Sequence, residues 1–295
     1  MSDANTAVKF FRDLEPEDLR TLNVIEANMS RYRYIPEKTI PKLVGLAEQE
    51  TQYRLARLDR FKLVFRWTGS YTGYRLNAAG YDCLAVNALV KAGILEAFGK
   101  PLGVGKEADV YDALTPENNR IAIKFHRLGR TSFRQTRRVR GYIAERRHIS
   151  WLYQSRLAAE KEFQALRLLY PHGIALPEPL SQNRHVVAMG MIEGAELAAY
   201  KELPNPRTTL DEVLSNIRKA YVDACIIHAD LSEYNILLKP NSHILIIDWP
   251  QYITRDHPSA ERLLKRDIKN IVGFFRRKHK VKTKLEDALN YVKAN

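Results

Sequence analysis

His228-Ala-Asp-Leu-Ser-Glu-Tyr-Asn-Ile-Leu-Leu-Lys-Pro-Asn-Ser-His-Ile-Leu-Ile-Ile-Asp-Trp-Pro-Gln251 reads as a polar loop, a short apolar strand, a turn and a second strand. The strands are Ile236 to Leu238 and Ile244 to Ile247, and Lys239-Pro-Asn-Ser242 carries the turn chemistry. If Leu238 pairs with His243, Asn235 opposes Ile246 and Glu233 opposes Asp248. Asn235 and Asp248 then lie diagonally on one face at the open end of the hairpin. Diagonal Cβ atoms sit about 7 Å apart or less, near enough for two oxygen-bearing side chains to share one hard cation. Asp230 sits on the loop leading in, five residues before Asn235.

Working outward, the 295 residues are enough for two or three domains with a sizeable core, and 45% hydrophobic with 27% charged residues is ordinary for a globular protein. The net charge of +13 is not ordinary. It points to a polyanionic partner, nucleic acid before membrane, with a solvated basic surface as the plainer alternative. Cys83 and Cys225 lie inside apolar runs without metal spacing and read as reduced core residues of an intracellular protein. The N-terminus lacks a signal-peptide pattern and no apolar run approaches a membrane span, so the expectation is a cytoplasmic protein with no membrane partner.

Residues 1–95 read as a separate winged helix-turn-helix domain. Leu19, Leu22, Ile25 and Met29 recur at helical spacing, Ile35 to Leu46 is expected as a second helix, and Glu50 to Phe61 as a third. The third places Gln52, Arg54 and Arg57 on its polar side and Leu55 and Leu58 on the other. A ribbon follows, turning at Gly69 to Gly73, then a helix from Gly80 to about Ala92. Gln52, Arg54 and Arg57 with the wing residues Arg66 and Arg75 are the candidate RNA contacts. A protein-docking winged helix fits the same pattern.

Residues 96–295 form the second domain, with an N-lobe over 96–190 and a C-lobe over 191–295. Gly103-Val-Gly-Lys-Glu107 is a glycine turn that lacks the Walker ending. Val110 opens a strand, and Arg120-Ile-Ala-Ile-Lys-Phe125 is another. Alternation of Ile121, Ile123 and Phe125 places Ala122 and Lys124 on the opposite face, beneath the glycine turn. From Arg127 to Arg147 there are eight arginines and one acid, so 127–149 is expected as a mobile loop. A helix resumes from Trp151 to Tyr170 and offers Glu162, or alternatively Glu160, as a partner for Lys124. His185 to Ile192 is expected as a buried edge strand ending at Glu193-Gly194, where an adenine would meet linker backbone. Helices follow over 208–224 and from Ser259 to Val292. A strand lysine, a helix glutamate and an Asp/Asn/Asp set at strand ends form the arrangement by which a protein kinase holds nucleotide and Mg²⁺.

Gly-Val-Gly-Lys-Glu (103–107), Ile-Lys (123–124), Glu-Phe (162–163), His-Ala-Asp-Leu-Ser-Glu-Tyr-Asn (228–235) and Ile-Asp-Trp-Pro-Gln (247–251) resemble the RIO kinases, in their winged-helix branch. The resemblance implies an α+β fold: a winged helix, then a compact bilobal RIO kinase domain. It also implies an ATP- and Mg²⁺-dependent Ser/Thr kinase or ATPase, with Mn²⁺ as an alternative ion. Lys124 would hold phosphates and pair with Glu162, Asp230 would be the catalytic carboxylate, and Asn235 and Asp248 would ligate the metal. The glycine turn (Gly103, Val104, Gly105, Lys106, Glu107), Val110 and the Met189–Ile192 linker would line the nucleotide. The implied partner is the small ribosomal subunit precursor and its rRNA, bound by a monomer. Ala108 and Ala229 depart from the serine and glycine usual at those points.

Only 47 residues follow Asp248, without an Ala-Pro-Glu motif, and Pro250 replaces the glycine of Asp-Phe-Gly. A peptide-docking lobe does not fit in that length, so a switch-like ATPase with self-modification is the expectation. An RNA-binding assembly factor using ATP as a structural ligand is the first alternative. A small-molecule phosphotransferase sharing the His-x-Asp-x-x-x-x-Asn pattern is the second.

Overall fold

Each of the first helices starts where local chemistry tells it to. α1 (Asp3–Phe10) is followed by α2 (Pro16–Asn28), which has Pro16 at its first turn and a reciprocal cap between Glu15 and Asp18. Ile35 and Pro36 do not open a second helix. Proline disfavours helical backbone in the residue before it, and Pro36 itself is extended (ψ 133°). The two residues therefore form β1 (Ile35–Pro36), and only Ile40–Val44 becomes α3. α4 (Glu48–Arg60), β2 (Val64–Thr68), β3 (Thr72–Leu76) and α5 (Ala78–Lys91) complete the module, with strand order β1-β3-β2. Asn77 caps α5 by accepting from the Gly80 amide at 2.9 Å. A Cβ at Gly80 would lie 2.2 Å from the Leu63 carbonyl oxygen, so glycine is what lets α5 press against the ribbon.

The chain is seen here in a computed structural model that describes residues 3–105, 107–128 and 151–294. Lys106 and the arginine-rich run from 129 to 149 lie outside the described residues. β4 (Ala97–Val104), β5 (Ala108–Leu114), β6 (Arg120–His126), β7 (Pro179–Asn183) and β8 (Val186–Gly190) form an antiparallel sheet in the order β4-β5-β6-β8-β7. β8 is thus interior and not an edge. The edge is β7, whose polar sequence hides it as a connection. Central β6 serves both faces of the sheet. Ile121, Ile123 and Phe125 pack with Ala4, Ala85, Val86 and Leu89 of α1 and α5, so the winged module covers one side. Ala122 joins Ala159 of α6 (Trp151–Leu169) on the other.

Buried charge also joins the two domains. Arg127, the first residue of the arginine-rich run, is not part of a solvated loop. It is 1% exposed, and its guanidinium donates to both oxygens of Asp82 on α5 (2.6 and 2.7 Å) and to Asp109 on β5 (3.0 Å). His185 adds a contact to Asp82 at 2.6 Å and stacks on Tyr81 at 4.7 Å. Nearer the surface, Arg184 donates to Glu26 and Asn23 of α2.

The C-lobe carries α7 (Pro206–Val222), α8 (Ala260–His279) and α9 (Leu285–Lys293) around small strands. β9 (Ala195–Glu196) flanks the hairpin of β11 (Ile236–Leu238) and β12 (Ile244–Ile246); β10 (Ile226–Ile227) pairs with β13 (Ile253–Thr254). The hairpin register differs by one residue from the expected one. Leu238 opposes Ile244, and Lys239 bonds across to His243. Asn235 therefore stands across from Ile247, whose amide donates to its carbonyl at 2.9 Å. A regular strand would then send Asp248 to the face away from Asn235. The strand ends first, and Asp248 adopts φ +67°, a left-handed turn that redirects its side chain. Cys83 is buried as expected, while Cys225 is exposed at a turn with φ +56°.

Candidate active site

Lys124 leaves the even face of β6 and is buried. Its Nζ donates to Glu162 Oε1 at 2.7 Å and to Asp248 Oδ1 at 2.9 Å, tying the sheet, α6 and the C-lobe to one ammonium. Burial opposes the charge on Lys124, but the two carboxylates outweigh it and the net shift is upward, so the side chain is cationic at neutral pH. Burial raises the Glu162 carboxyl, and Lys124 and His126 outweigh it to leave the pKa low. His126, two residues along the same face as Lys124, sits with Nε2 2.7 Å from Glu162 Oε2. Of the two glutamates the sequence offered, Glu160 pairs instead with Arg156 on the exposed side of α6.

Above Lys124 lies the β4–β5 hairpin. Gly103 pairs with Val110, and the Gly105 amide donates to the Ala108 carbonyl at 2.9 Å to close the turn. Val104 is 60% exposed there, an apolar side chain without a packing partner of its own. Val110 pairs with Lys124 in the ladder and packs against the main core, and the Glu107 carbonyl receives the Arg127 amide at 2.6 Å. On the hinge side Met189 is buried opposite Ala122. The Gly190 amide is already bonded to the Glu178 carbonyl at 2.8 Å, and Met191 and Ile192 are half-buried beyond it.

Below, the loop before β11 presents Asp230 and Asn235. The Asp230 side chain is 63% exposed, 4.0 Å from the Arg266 guanidinium. Asn235 Oδ1 accepts from the Ser232 hydroxyl at 3.1 Å, and its Nδ2 approaches the Asp230 carbonyl at 3.4 Å. Two groups absent from the sequence-based set hold this loop, buried Asp267 and half-exposed Arg266. Asp267 on α8 accepts the Ala229 amide at 2.8 Å, and Arg266 donates to the Ala229 carbonyl. Burial raises Asp267 to about 7, against the pull of Arg266 and the amides of Ala229 and Leu231. Burial also holds His228 below the usual histidine range; its neutral ring donates from Nε2 to the Ile247 carbonyl at 3.0 Å and leans on Trp249 at 4.5 Å. Asp248 thus meets Lys124 directly, while the loop that carries Asp230 and Asn235 is held by residues that no spacing rule singles out.

The expected nucleic-acid residues divide. Gln52 and Arg66 are exposed and Arg75 is half-buried on the ribbon. Arg54 and Arg57 do not face solvent. Arg54 is 7% exposed and bonds Glu15 at 2.7 Å and Glu50 at 2.6 Å; Arg57 bonds Glu15 at 2.6 Å and lies 3.2 Å from Asp18. Apart from Glu50 on α4 itself, the carboxylates that hold them lie in α2 and its cap, far upstream, which is why a helix pattern read alone put them on a free polar side. Both arginines staple α4 to α2.

The RIO domain model matches residues 109–288 and the model described as Rio2, N-terminal, matches 11–92. The RIO-type serine/threonine-protein kinase Rio2 of Methanocaldococcus jannaschii is 43% identical over 254 residues, covering 84% of this chain and 92% of that protein. The Saccharomyces cerevisiae serine/threonine-protein kinase RIO2 is 31% identical, covering 94% of this chain and 67% of its own. Among solved structures, the Rio2 kinase-ADP/Mg²⁺-phosphoaspartate complex from Chaetomium thermophilum superposes with a TM-score of 0.82 at 30% identity, covering 98% of this chain and 89% of that one.

Proposed function

This chain belongs to the RIO-type serine/threonine kinases, in the branch that carries the Rio2 N-terminal domain, and from that premise we propose that it is a slow ATP- and Mg²⁺-dependent kinase and ATPase that docks on RNA. The observation that carries the reading is the bridge from Lys124 to both Glu162 and Asp248, above Asp230 and Asn235. The ammonium is charged, preset by Glu162, and only lightly committed to Asp248, whose side chain is 45% exposed. Incoming nucleotide phosphates replace Asp248 on Lys124, which frees the carboxylate.

The Asp248 carboxylate and the Asn235 amide oxygen are hard donors that suit Mg²⁺, which favours oxygen ligands and takes the remainder from phosphates and water. Bound there, the ion would neutralise charge on the phosphates. Asp230 orients the attacking hydroxyl or water and takes its proton as the γ-phosphoryl group passes to that oxygen and ADP departs. Ser232 and the Asp230 carbonyl fix the Asn235 amide, and Asp267 with Arg266 hold the loop so that Asp230 needs no reorganisation. The phosphoaspartate in the Chaetomium thermophilum complex supports a carboxylate as one acceptor; at this cleft the candidates are Asp230 and Asp248. Hydroxyls of the arginine-rich run, Thr131, Ser132 and Thr136, are further candidate acceptors for self-modification and lie outside the described residues.

The small ribosomal subunit precursor is the proposed partner and the cytoplasm the proposed location; no helix among the described residues is long and apolar enough to cross a membrane. With Arg54 and Arg57 engaged internally, contact through the winged helix rests on Gln52, Arg66 and Arg75. The test is ATP binding and turnover. Wild type should bind ATP far more tightly with Mg²⁺ than with EDTA, Asp248→Ala should erase that difference, and Asp230→Ala should bind normally and lose turnover about 10²–10⁴-fold. Equal affinity with and without metal in the wild type refutes the assignment.

A further inference from the structure

We propose that a groove between α7, α8 and the α8–α9 turn, apart from the nucleotide cleft, is a second binding surface for the sugar–phosphate backbone of RNA. The groove measures about 930 Å³, and of its fourteen lining residues seven are Lys or Arg and two are acidic. Lys265, Lys269 and Arg276 recur at four- and seven-residue steps and so stand in one row along α8, a row about 16 Å long at helical rise. Lys282 and Lys284 on the turn face this row, and Arg207 of α7 closes one end by donating to Thr283 at 3.3 Å. Seven cations against the carboxylates of Glu286 and Asp287 leave the groove net positive, and net like charge lining a concavity raises its local potential and draws a polyanion.

The floor has been kept low. Gly273 sits in the middle of the row, although glycine inside a helix is less favourable than alanine. A Cβ there would stand 3.0 Å from the Arg277 guanidinium, so glycine leaves that side chain room to lie across α8 at the groove. The walls favour a phosphate chain over an acidic protein. They are helix faces and one short turn, with no strand among the lining residues to offer an edge to a peptide and no aromatic side chain to stack a base. A linear row of cations matches a linear repeat of charge, read without sequence preference. The inference does not depend on the winged helix touching RNA.

The neighbouring face of the same helix holds the catalytic loop: Asp267 and Arg266 grip Ala229, and Asn270 donates to the Leu231 carbonyl at 3.2 Å. RNA in the groove would thus rest on the element that positions Asp230.

The experiment is fluorescence anisotropy of the full chain with a labelled mixed-sequence RNA of about 30 nucleotides, from about 50 to 200 mM KCl. Lys265→Glu/Lys269→Glu/Arg276→Glu should raise Kd about tenfold or more and reduce the salt slope by about two to three units, with melting temperature and ATP turnover unchanged. Lys282→Glu/Lys284→Glu, on the turn, should act in the same direction and serves if the helix variant does not fold. Arg66→Ala/Arg75→Ala tests the wing separately, so either surface can fail alone. Unchanged Kd and slope in both groove variants overturns the proposal. So does unchanged RNA binding with lost affinity for a polyglutamate peptide, which would assign the groove to an acidic protein.

Discussion

Arg127→Met removes the cation at the centre of the inter-domain cluster while keeping much of the side chain's length. Asp82 and Asp109, each 0% exposed, would then be left in the interior without it. Taking one partner from a buried ion pair typically costs about 3–5 kcal/mol, because the remaining charge stays desolvated and uncompensated. Against a typical total of about 5–15 kcal/mol, that is a large share. The loss should fall at the domain junction, since Asp82 belongs to α5 and Asp109 to β5. Urea unfolding followed by tryptophan fluorescence reads this, with Trp67 reporting on the wing and Trp249 on the C-lobe. The variant should unfold earlier and in two separated transitions. The pH dependence has a defined sign. In the wild type burial pushes Asp82 up, Arg127 and His185 outweigh it, and its pKa is lowered. Its contribution is present above the unfolded carboxylate pKa and lost as pH falls through the lower folded value. Without Arg127 burial dominates, Asp82 takes up a proton on mild acidification, and the gap to wild type should narrow as pH falls from 7 towards 5. A loss under about 1 kcal/mol at pH 7, or a gap that does not change with pH, would refute the reasoning. Arg127→Met/Asp82→Asn/Asp109→Asn should recover much of the loss.

Ala229 has φ +62°, a left-handed backbone that costs a residue with a Cβ about 1–2 kcal/mol, so Ala229→Gly should be neutral or stabilising in thermal unfolding and Ala229→Val clearly destabilising. Glu162→Gln removes one of the two carboxylates that share the Lys124 ammonium; the ammonium should settle wholly on Asp248, and kcat/KM for ATP should fall at least about tenfold in steady-state turnover. Because Asp267 is raised to about 7, its ionisation should mark both stability and rate. A folded pKa above the unfolded one means stability is lost as pH rises through 7, while the carboxylate accepts the loop amides more strongly and turnover rises. Both inflections should vanish in Asp267→Asn, measured by melting and by a pH–rate profile.

The Lys124–Glu162 pair was legible because β6 alternates cleanly and Glu162 lies in a stretch with a clear helical pattern. The hairpin was legible in kind and not in register. Lys239 to Ser242 can close a turn in two ways one residue apart, and only the pairing of Lys239 with His243 separates them. Asp248 turns left-handed just beyond the strand, which no propensity announces for aspartate followed by tryptophan. Arg127 was hidden by the arginines that follow it. Arg54 and Arg57 were misread because a helical pattern says which side is polar and not whether that side faces solvent or a carboxylate from another helix. Asp267, one of two acids in a basic helix, carries no sequence signal at all.

The alternation along β6 acts as a phase that two separate bodies must read at once. Ile121, Ile123 and Phe125 are in phase with the winged module, Ala122, Lys124 and His126 with α6 and its Glu162. One residue inserted into this strand would advance every later side chain by half a period, aiming Lys124 at apolar α5 and Phe125 at Glu162. Attachment to the module and competence for phosphoryl transfer would then fail in a single event. Neither can drift along the chain without carrying the other, and the strand is shielded from length change by the function on each of its sides.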